Sequence, residues 1–284
     1  MGTREQQTTS HGRATKGTAV VTGASSGLGA VFADRLASRG YDLILVARRE
    51  DRLLALEQRL ISQYGVSAKA AVTDLTARAD QDSLIKRIGS DTSITMLVND
   101  AGAAAMKPIT SIGDAEQDMM VHLKITALTR LTLAVLPEFK GRDRGTIINI
   151  GSSLSIYTPA NTAVYSATKA YVMNFTLGLQ QELAGTKVVA QLVLPSKTAT
   201  EIWKNTGVPL ASLDQASVMT AENCVDAALS GLDHGESATF PSVEDYKLWL
   251  NFESARRQLF DATQTGTPAS RYHVGLAGAH SSQR

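Results

Sequence analysis

The segment TGASSGLG (Thr22–Gly29) follows a short β-branched, apolar run (Thr18–Val21) and precedes a helical pattern. A glycine-rich turn between a strand and a helix presents backbone N–H groups and a helix N-terminus to an anion. Gly23 would permit the tight turn, Gly27 the approach of phosphate oxygens to the backbone, and Gly29 close packing of the helix on the strand. We therefore expect the turn to hold a pyrophosphate through Gly23, Ser25, Ser26, Gly27, Leu28 and Gly29.

Short apolar runs alternate with helical patterns as far as residue 240. The runs lack a polar face, which is typical of parallel strands covered on both sides, and they are Thr18–Val21, Asp42–Val46, Ala68–Val72, Ile94–Val98, Thr146–Ile150 and Val188–Leu194. Helices are predicted near residues 27–39, 50–64, 77–88, 114–138, 163–185 and 221–232. This alternation predicts an α/β fold: a single doubly wound, Rossmann-like domain with a mostly parallel sheet, helices on both faces and ligands at the carboxyl ends of the strands.

The rest of the chain is expected to be organised around that domain, which would span residues 16–242. Residues 1–15 are polar and predicted to be a disordered extension. The segment 201–219 has no obvious strand and is predicted to be either an apolar flap over a substrate or a packed surface loop. A C-terminal helix is predicted over 243–264 and a flexible tail over 265–284.

Composition excludes several function classes. The chain has 284 residues, a net charge of +1 and 43% apolar residues, so no nucleic-acid or membrane partner is indicated. Its single cysteine, Cys224, excludes an internal disulfide framework and fits a reducing compartment. The N-terminus lacks an apolar run, and no stretch is expected to reach the length of a membrane span. These features predict a soluble, cytoplasmic protein, and no metal site is predicted.

The strongest chemical pattern is formed by Ser152, Tyr165 and Lys169, which stand 13 and then four residues apart. Tyr165 and Lys169 lie in a helical run and would project from one face. A free phenol has a pKa of about 10, too high for efficient acid–base chemistry at neutral pH, and a nearby ammonium would lower that pKa. Ser152 follows a predicted strand, where its hydroxyl would hold a substrate oxygen beside the phenol. We interpret the three residues as a catalytic group that moves a hydride and a proton.

The end of the second predicted strand indicates which dinucleotide the turn would bind. NAD sites usually place an acidic residue here for the adenosine ribose hydroxyls, but Ala47 occupies the position and Arg48 and Arg49 follow. Two guanidinium groups suit a 2′-phosphate, which favours NADP(H). The alternative is a solvated helix N-terminus, although cations are unfavourable there. Asp74, after the third strand, is placed either to accept from an adenine amino group or to cap the next helix.

Taken together, the motifs resemble the short-chain dehydrogenase/reductase family over about residues 16–242. They are TGASSGLG, NDAG at 99–102, GSS at 151–153, YSATK at 165–169 and LPSKTATE at 194–201. The resemblance implies that Tyr165 donates or accepts the proton and that Ser152 orients the carbonyl or alcohol. Lys169 would hold the nicotinamide ribose and lower the tyrosine pKa. Ser153 competes for the serine role, but the family's usual separation from the tyrosine selects Ser152.

The resemblance also implies an activity and further contacts. It predicts an NADP(H)-dependent oxidoreductase that interconverts a ketone or aldehyde with an alcohol, on an apolar or aromatic substrate. Two alternatives are a nucleotide-responsive regulatory protein with little turnover and an epimerase using the same site. A homodimer or homotetramer built on helices 114–138 and 163–185 is expected. Further cofactor contacts are expected at Leu75, Asn99, Ala101, Gly102, Pro195, Thr198 and Thr200.

Three positions depart from the family's pattern. Asp100 stands where a second asparagine is usual, and Ser196 where glycine is usual. Lys124 aligns with the asparagine of the family's proton relay, whereas His122 is two residues out of register and is interpreted as an ordinary helix histidine. A second ammonium near Lys169 would repel it, so we expect that one lysine loses its proton or that Lys124 turns to solvent. Activity would survive with a changed proton path and pH profile.

Overall fold

The computed structural model describes residues 15–272 of the chain. Most of the predicted N-terminal extension (1–14) and part of the predicted tail (273–284) lie outside the described residues. By its internal contacts the chain divides into two compact units, one through Ser242 and one from Val243. The first unit contains the sheet and the candidate site.

A seven-stranded, entirely parallel sheet forms the centre of the first unit, with the strand order β3-β2-β1-β4-β5-β6-β9. A separate parallel pair is formed by β7 and β8. The strands are β1 (Thr18–Thr22), β2 (Asp42–Ala47), β3 (Ala68–Val72), β4 (Ile94–Asn99), β5 (Gly145–Ile150), β6 (Val188–Val193), β7 (Thr198–Ala199), β8 (Met219–Thr220) and β9 (Ala238–Thr239).

Helices cover both faces of this sheet, because its strands are apolar on both sides. On β1, Ala19 and Val21 pack into one core and Val20 into the other. The helices are α1 (Gly27–Ser38), α2 (Glu50–Tyr64), α3 (Arg78–Gly89), α4 (Asp114–Val121), α5 (Leu128–Gly141), α6 (Ala163–Glu182), α7 (Ala221–Asp233) and α8 (Lys247–Ala262). The predicted doubly wound, Rossmann-like α/β fold is confirmed.

Three local features differ from the predictions. The helix predicted over 114–138 is interrupted by a π-helical turn, His122–Ala127, between α4 and α5. The segment 201–219 consists of short 3-10 turns, but its last residue belongs to β8, so it does contribute to a strand. The two-residue strand β9 was not predicted, because so short a run carries no periodicity.

Among residues 15–272, one continuous helical stretch, Asp114–Gly141, is long and apolar enough to cross a membrane, with a mean hydropathy of 1.4 over 18 residues. The prediction that no stretch reaches this length is therefore wrong. In the structure 44% of that window is buried. Core helices of soluble proteins have the same length and hydropathy, so the stretch is weak evidence for a membrane span.

The second unit contains α8. Within this helix Trp249 stacks on Phe252, with ring centroids 5.7 Å apart.

Candidate active site

A cavity of about 680 Å³ opens at the carboxyl ends of the strands. The strand order reverses between β1 and β4, and the connections after these two strands diverge and leave a crevice. Thr22 ties the two strand ends together: its hydroxyl donates to the carbonyl of Val98 (3.2 Å) and accepts from the N–H groups of Asp100 (3.0 Å) and Ala101 (3.1 Å). The polar groups at this edge therefore face one space.

The glycine-rich turn forms one wall of the cavity and depends on glycine at two positions. Gly23 has φ +75°, and a Cβ there would lie 3.0 Å from the Ala101 nitrogen. At Gly29 a Cβ would lie 2.5 Å from the carbonyl oxygen of Gly23, closer than real contacts allow. The absence of a side chain at Gly29 therefore lets α1 begin directly against the turn, so that its N-terminus faces the cavity.

Replacing Gly29 by Ala is expected to lower the free energy of unfolding by about 1–3 kcal/mol, because the obstructing atoms belong to the backbone and cannot move aside. Gly178→Ala is the matched control, since Gly178 lies in α6 with nothing within 4 Å of the added Cβ. The control should leave stability unchanged or raise it by up to about 1 kcal/mol. Urea denaturation measures both, and equal stability of the two variants would contradict the close packing.

A cluster of donors lies where β2 ends. The guanidinium of Arg49 donates to the hydroxyls of Ser25 (2.8 Å) and Ser26 (2.6 Å) and to the carboxylate of Glu201 (2.8 Å). Arg48 also lines the cavity. Hydroxyl, guanidinium and backbone N–H groups all bind phosphate oxygens well, and the turn and both arginines lie in the wall of one cavity. The residues present therefore fit a dinucleotide.

Three predicted catalytic residues are brought together farther along the cavity. Ser152 follows β5, its hydroxyl accepts from the N–H of Leu154 (3.2 Å), and it lies close enough to Tyr165 to act on the pKa of the phenol. Tyr165 and Lys169 lie one turn apart on α6, with Nζ of Lys169 5.6 Å from the centre of the tyrosine ring. Ser153 directs its N–H to the carbonyl of Pro195 (2.8 Å). The hydroxyl beside the phenol is therefore that of Ser152.

The electrostatics of Tyr165 differ from the prediction. Burial raises the pKa of its phenol above the usual value, the charge of Asp100 raises it further, and the hydrogen bond with Ser152 opposes the rise. Lys169 does not lower this pKa, because burial and the nearby Lys124 hold the pKa of its own amine well below the ordinary value. Nζ of Lys169 donates to the carbonyls of Ile150 (2.9 Å) and Gly151 (2.7 Å). In this structure the phenol keeps its proton at neutral pH.

Lys124 lies inside the protein, so the expectation that it turns to solvent is wrong. The residue is 3% exposed, and its Nζ donates to the carbonyl of Asp100 (2.9 Å). A Cβ on Gly102 would lie 1.8 Å from its Cε, so glycine there makes room for the lysine. The lowered amine pKa of Lys169 agrees with the other expectation, that one lysine loses its proton.

Comparison with known proteins identifies the group to which this arrangement belongs. The model of the family described as short chain dehydrogenase matches residues 17–209. The chain belongs to the short-chain dehydrogenase/reductase family. Members of this family are oxidoreductases, which agrees with the general activity predicted from the motifs.

Solved structures resemble this short-chain dehydrogenase/reductase over most of its length. A short-chain dehydrogenase from Sphingobium yanoikuyae in complex with NADPH is 38% identical, with a TM-score of 0.87 over 90% of this chain and 100% of the other. A bulky-bulky ketone specific alcohol dehydrogenase from Comamonas testosteroni is 34% identical, with a TM-score of 0.84 over 91% and 99%.

A curated relative matches a shorter part. The very-long-chain 3-oxoacyl-CoA reductase of Anas platyrhynchos is 33% identical over 190 residues, or 66% of this chain. The matched part spans 61% of the length of that reductase.

Most of the predicted site residues of this family member line the cavity. They are Gly23, Ser25, Ser26, Gly27, Leu28, Arg48, Arg49, Leu75, Ala101, Gly102, Ser152, Tyr165, Lys169, Pro195, Thr198 and Thr200. Three other predicted residues, Gly29, Asp74 and Asn99, do not line it among the described residues.

Each of those three has a structural partner instead. Gly29 lies beneath the turn, as described above. Asp74 accepts from the backbone N–H (2.9 Å) and hydroxyl (2.7 Å) of Thr76. It does not cap α3 either, because the residue before that helix is Ala77. The amide of Asn99 donates to Asn149 (2.9 Å) in the core, and its place beside the cofactor stays a prediction.

Sequence reasoning missed several groups that shape the cavity. Thr22 belongs to the quoted turn, yet its role depends on a strand 76 residues away. Glu201 is the last residue of a quoted motif, but its ion pairs with Arg49 and Arg52 involve residues about 150 positions earlier. An apolar wall was signalled only by the composition of 201–219. This wall comprises Met106, Met119, Leu123, Leu154, Ile202, Trp203, Val208 and Leu213.

Proposed function

We propose that this protein is an NADP(H)-dependent oxidoreductase that reduces bulky, apolar ketones to secondary alcohols and runs the reverse reaction. The observation that carries the proposal is that the phenol of Tyr165 and the hydroxyl of Ser152 line one cavity with the glycine-rich turn, the Arg49 cluster and an apolar wall.

The preference for NADP(H) over NAD(H) is supported by the end of β2. Arg48 and Arg49 are both in the cavity wall, and Ala47 leaves this strand end without the carboxylate that NAD sites use. The Sphingobium yanoikuyae relative was solved with NADPH. Ser25, Ser26 and Arg49 would bind the 2′-phosphate, and the turn residues the pyrophosphate.

When bound, the nicotinamide would supply the hydride that is transferred to the carbonyl carbon. Ser152 and Tyr165 would hold the carbonyl oxygen between two hydroxyl groups. Because burial keeps the phenol of Tyr165 protonated at neutral pH, it is ready to donate a proton to the alcohol oxygen that forms. Tyr165 lines the open cavity, so water entering it after the product leaves would return the proton to the phenolate. Nζ of Lys169, 5.6 Å from the centre of the tyrosine ring, lies near the charge that this step leaves for a time on Tyr165.

The substrate class is inferred from the apolar wall. Three segments contribute to this wall. The flap contributes Trp203, the loop after β4 contributes Met106, and the turn after β5 contributes Leu154. A wall of this kind favours two large apolar groups around the carbonyl. The similarity to the Comamonas testosteroni enzyme, which covers most of both chains, supports a bulky ketone. A long 3-oxoacyl thioester is the competing substrate, suggested by the curated relative.

A substrate screen tests the proposal. NADPH oxidation is followed with aryl alkyl and diaryl ketones, small ketones, aldehydes, and 3-oxoacyl thioesters of increasing length, each repeated with NADH. We expect the highest kcat/KM for the bulky ketones with NADPH. Higher kcat/KM for the thioesters would move the proposal to the acyl substrate class. Tight NADPH binding without turnover on any compound would favour the regulatory alternative.

The cytoplasmic location and the homodimer or homotetramer stay proposals. Size-exclusion chromatography with light scattering tests the oligomeric state directly.

A further inference from the structure

One carboxylate at the edge of the cavity is surrounded by cations. Glu201 accepts from Nη1 of Arg49 (2.8 Å) and Nη1 of Arg52 (2.7 Å) with one oxygen, and from Nζ of Lys204 (3.1 Å) with the other. The hydrogen bonds from Arg49, then Arg52 and Lys204, hold the pKa of this carboxyl well below its usual range. Glu201 is therefore ionised and occupies the donors of two arginines.

Those donors are the ones that a phosphate on the adenosine ribose would need. The same guanidinium of Arg49 that binds Glu201 also donates to the hydroxyls of Ser25 and Ser26 on the glycine-rich turn. A guanidinium has five N–H groups in a fixed plane, so a phosphate can bind it bidentately only by taking donors from a present acceptor. Glu201, the first residue of the flap (201–219), is the acceptor at Nη1 of Arg49.

We propose that Glu201 is an internal competitor of the cofactor's 2′-phosphate, which replaces it on Arg49 and Arg52 and thereby releases the start of the flap (201–219). The inference rests on the proposed preference for NADP(H). It adds that the Glu201 carboxylate lowers the affinity for the phosphorylated ribose. It also adds that binding of the 2′-phosphate changes the position of residues in the apolar wall of the substrate site.

The link to the substrate wall is short. Glu201 is the first residue of the 3-10 turn Glu201–Asn205, and Trp203 lies in the middle of that turn. The indole Nε1 of Trp203 donates to the carbonyl of Thr198 (2.7 Å), and the ring lines the cavity. When the ion pairs of Glu201 are lost, the turn retains fewer contacts with α2, and the position of Trp203 changes with it.

Binding of two nucleotide fragments tests the competition without catalysis. Adenosine 2′,5′-bisphosphate and 5′-AMP differ only in the 2′-phosphate, and isothermal calorimetry measures the affinity of each for the wild type and for Glu201→Gln. We expect the substitution to strengthen binding of the bisphosphate about tenfold and to leave 5′-AMP unchanged. Glu50→Gln is the matched control, because it removes the same charge from the residue next to Arg49 and leaves the Glu201 carboxylate in place.

The outcomes separate the two proposals. If the wild type binds both fragments equally, the NADP(H) preference is wrong and the inference falls with it. If the wild type prefers the bisphosphate but Glu201→Gln binds it no more tightly than Glu50→Gln does, the NADP(H) preference stands and the competition is overturned.

The transmission to the flap has its own measurement. The chain has two tryptophans, so a Trp249→Phe background leaves Trp203 as the reporter. We expect the bisphosphate to shift the emission of Trp203 in this background, 5′-AMP to leave it unchanged, and Glu201→Gln to show the shifted emission before ligand is added. An emission that responds equally to both fragments, or to neither, would overturn the release of the flap.

Discussion

Replacing Tyr165 by Phe is expected to lower kcat for ketone reduction by about 10³-fold, which is within the range for losing a general acid. The variant keeps the aromatic ring in its buried position and removes only the phenol hydroxyl. Binding of NADPH should change little, since the proposed contacts with its phosphates come from the glycine-rich turn and Arg49. Stopped-flow or steady-state NADPH oxidation measures the rate, and calorimetry measures the binding.

Tyr171→Phe is the control for this experiment. Tyr171 lies on the same helix, α6, where its hydroxyl hydrogen-bonds Thr129 (2.8 Å) and its ring stacks on Phe175. Removing that hydroxyl should leave turnover within about twofold of the wild type, because Tyr171 does not line the cavity in the described part of the chain. If Tyr165→Phe retained more than a tenth of the activity, the proton would have to come from another group.

The sheet could be predicted because its determinants are local. Each strand is a short run without a polar face, and the turn between β1 and α1 carries glycines at the positions where Gly23 bends and Gly29 packs. Local signals also placed Tyr165 and Lys169 on one helix face. These features depend on neighbours within a few residues, so the sequence contains them.

The features that were missed either leave the sequence pattern unchanged or depend on residues far apart in the chain. The π-helical turn at His122–Ala127 has the same apolar pattern as an uninterrupted helix, so periodicity could not reveal it. The raised pKa of Tyr165 depends on burial within the folded cavity and on Asp100, 65 positions earlier. Reasoning from adjacent charges alone predicted a lowered pKa for Tyr165, because it left out the cost of removing the phenolate from water.

The second large effect is a loss of stability, which we expect when the buried charges of Asp100 and Lys124 are removed. These two residues stand where asparagines are usual in the family. Burial raises the pKa of the Asp100 carboxyl, and the charges of Lys124 and Lys169 and the backbone N–H of Gly29 oppose that rise. Asp100→Asn keeps an oxygen for Gly29 but removes the only carboxylate among these buried groups in the described chain. We expect it to lower the free energy of unfolding by about 2–3 kcal/mol, since a buried ammonium is left without a counter-charge.

Lys124→Asn in the same chain should restore about 2 kcal/mol of that loss. A double-mutant cycle in urea measures this coupling, with the exposed pair Arg257 and Asp261 (3.9 Å) as the control, for which we expect less than about 0.5 kcal/mol. Additive effects of the two substitutions would show that the charges do not compensate each other.

The pH dependence of stability distinguishes charge from packing in the same variants. Burial lowers the pKa of Lys124, and the charge of Lys124 helps to lower that of Lys169. A lysine with a lowered folded pKa destabilises the protein fully below that pKa, and the penalty disappears as pH rises through the unfolded value of about 10.4. The stability of Lys124→Asn relative to the wild type should therefore be greatest at neutral and lower pH and decline toward pH 10. A difference independent of pH would mean that the substitution acts only through packing, and that Lys124 carries no charge in the folded protein.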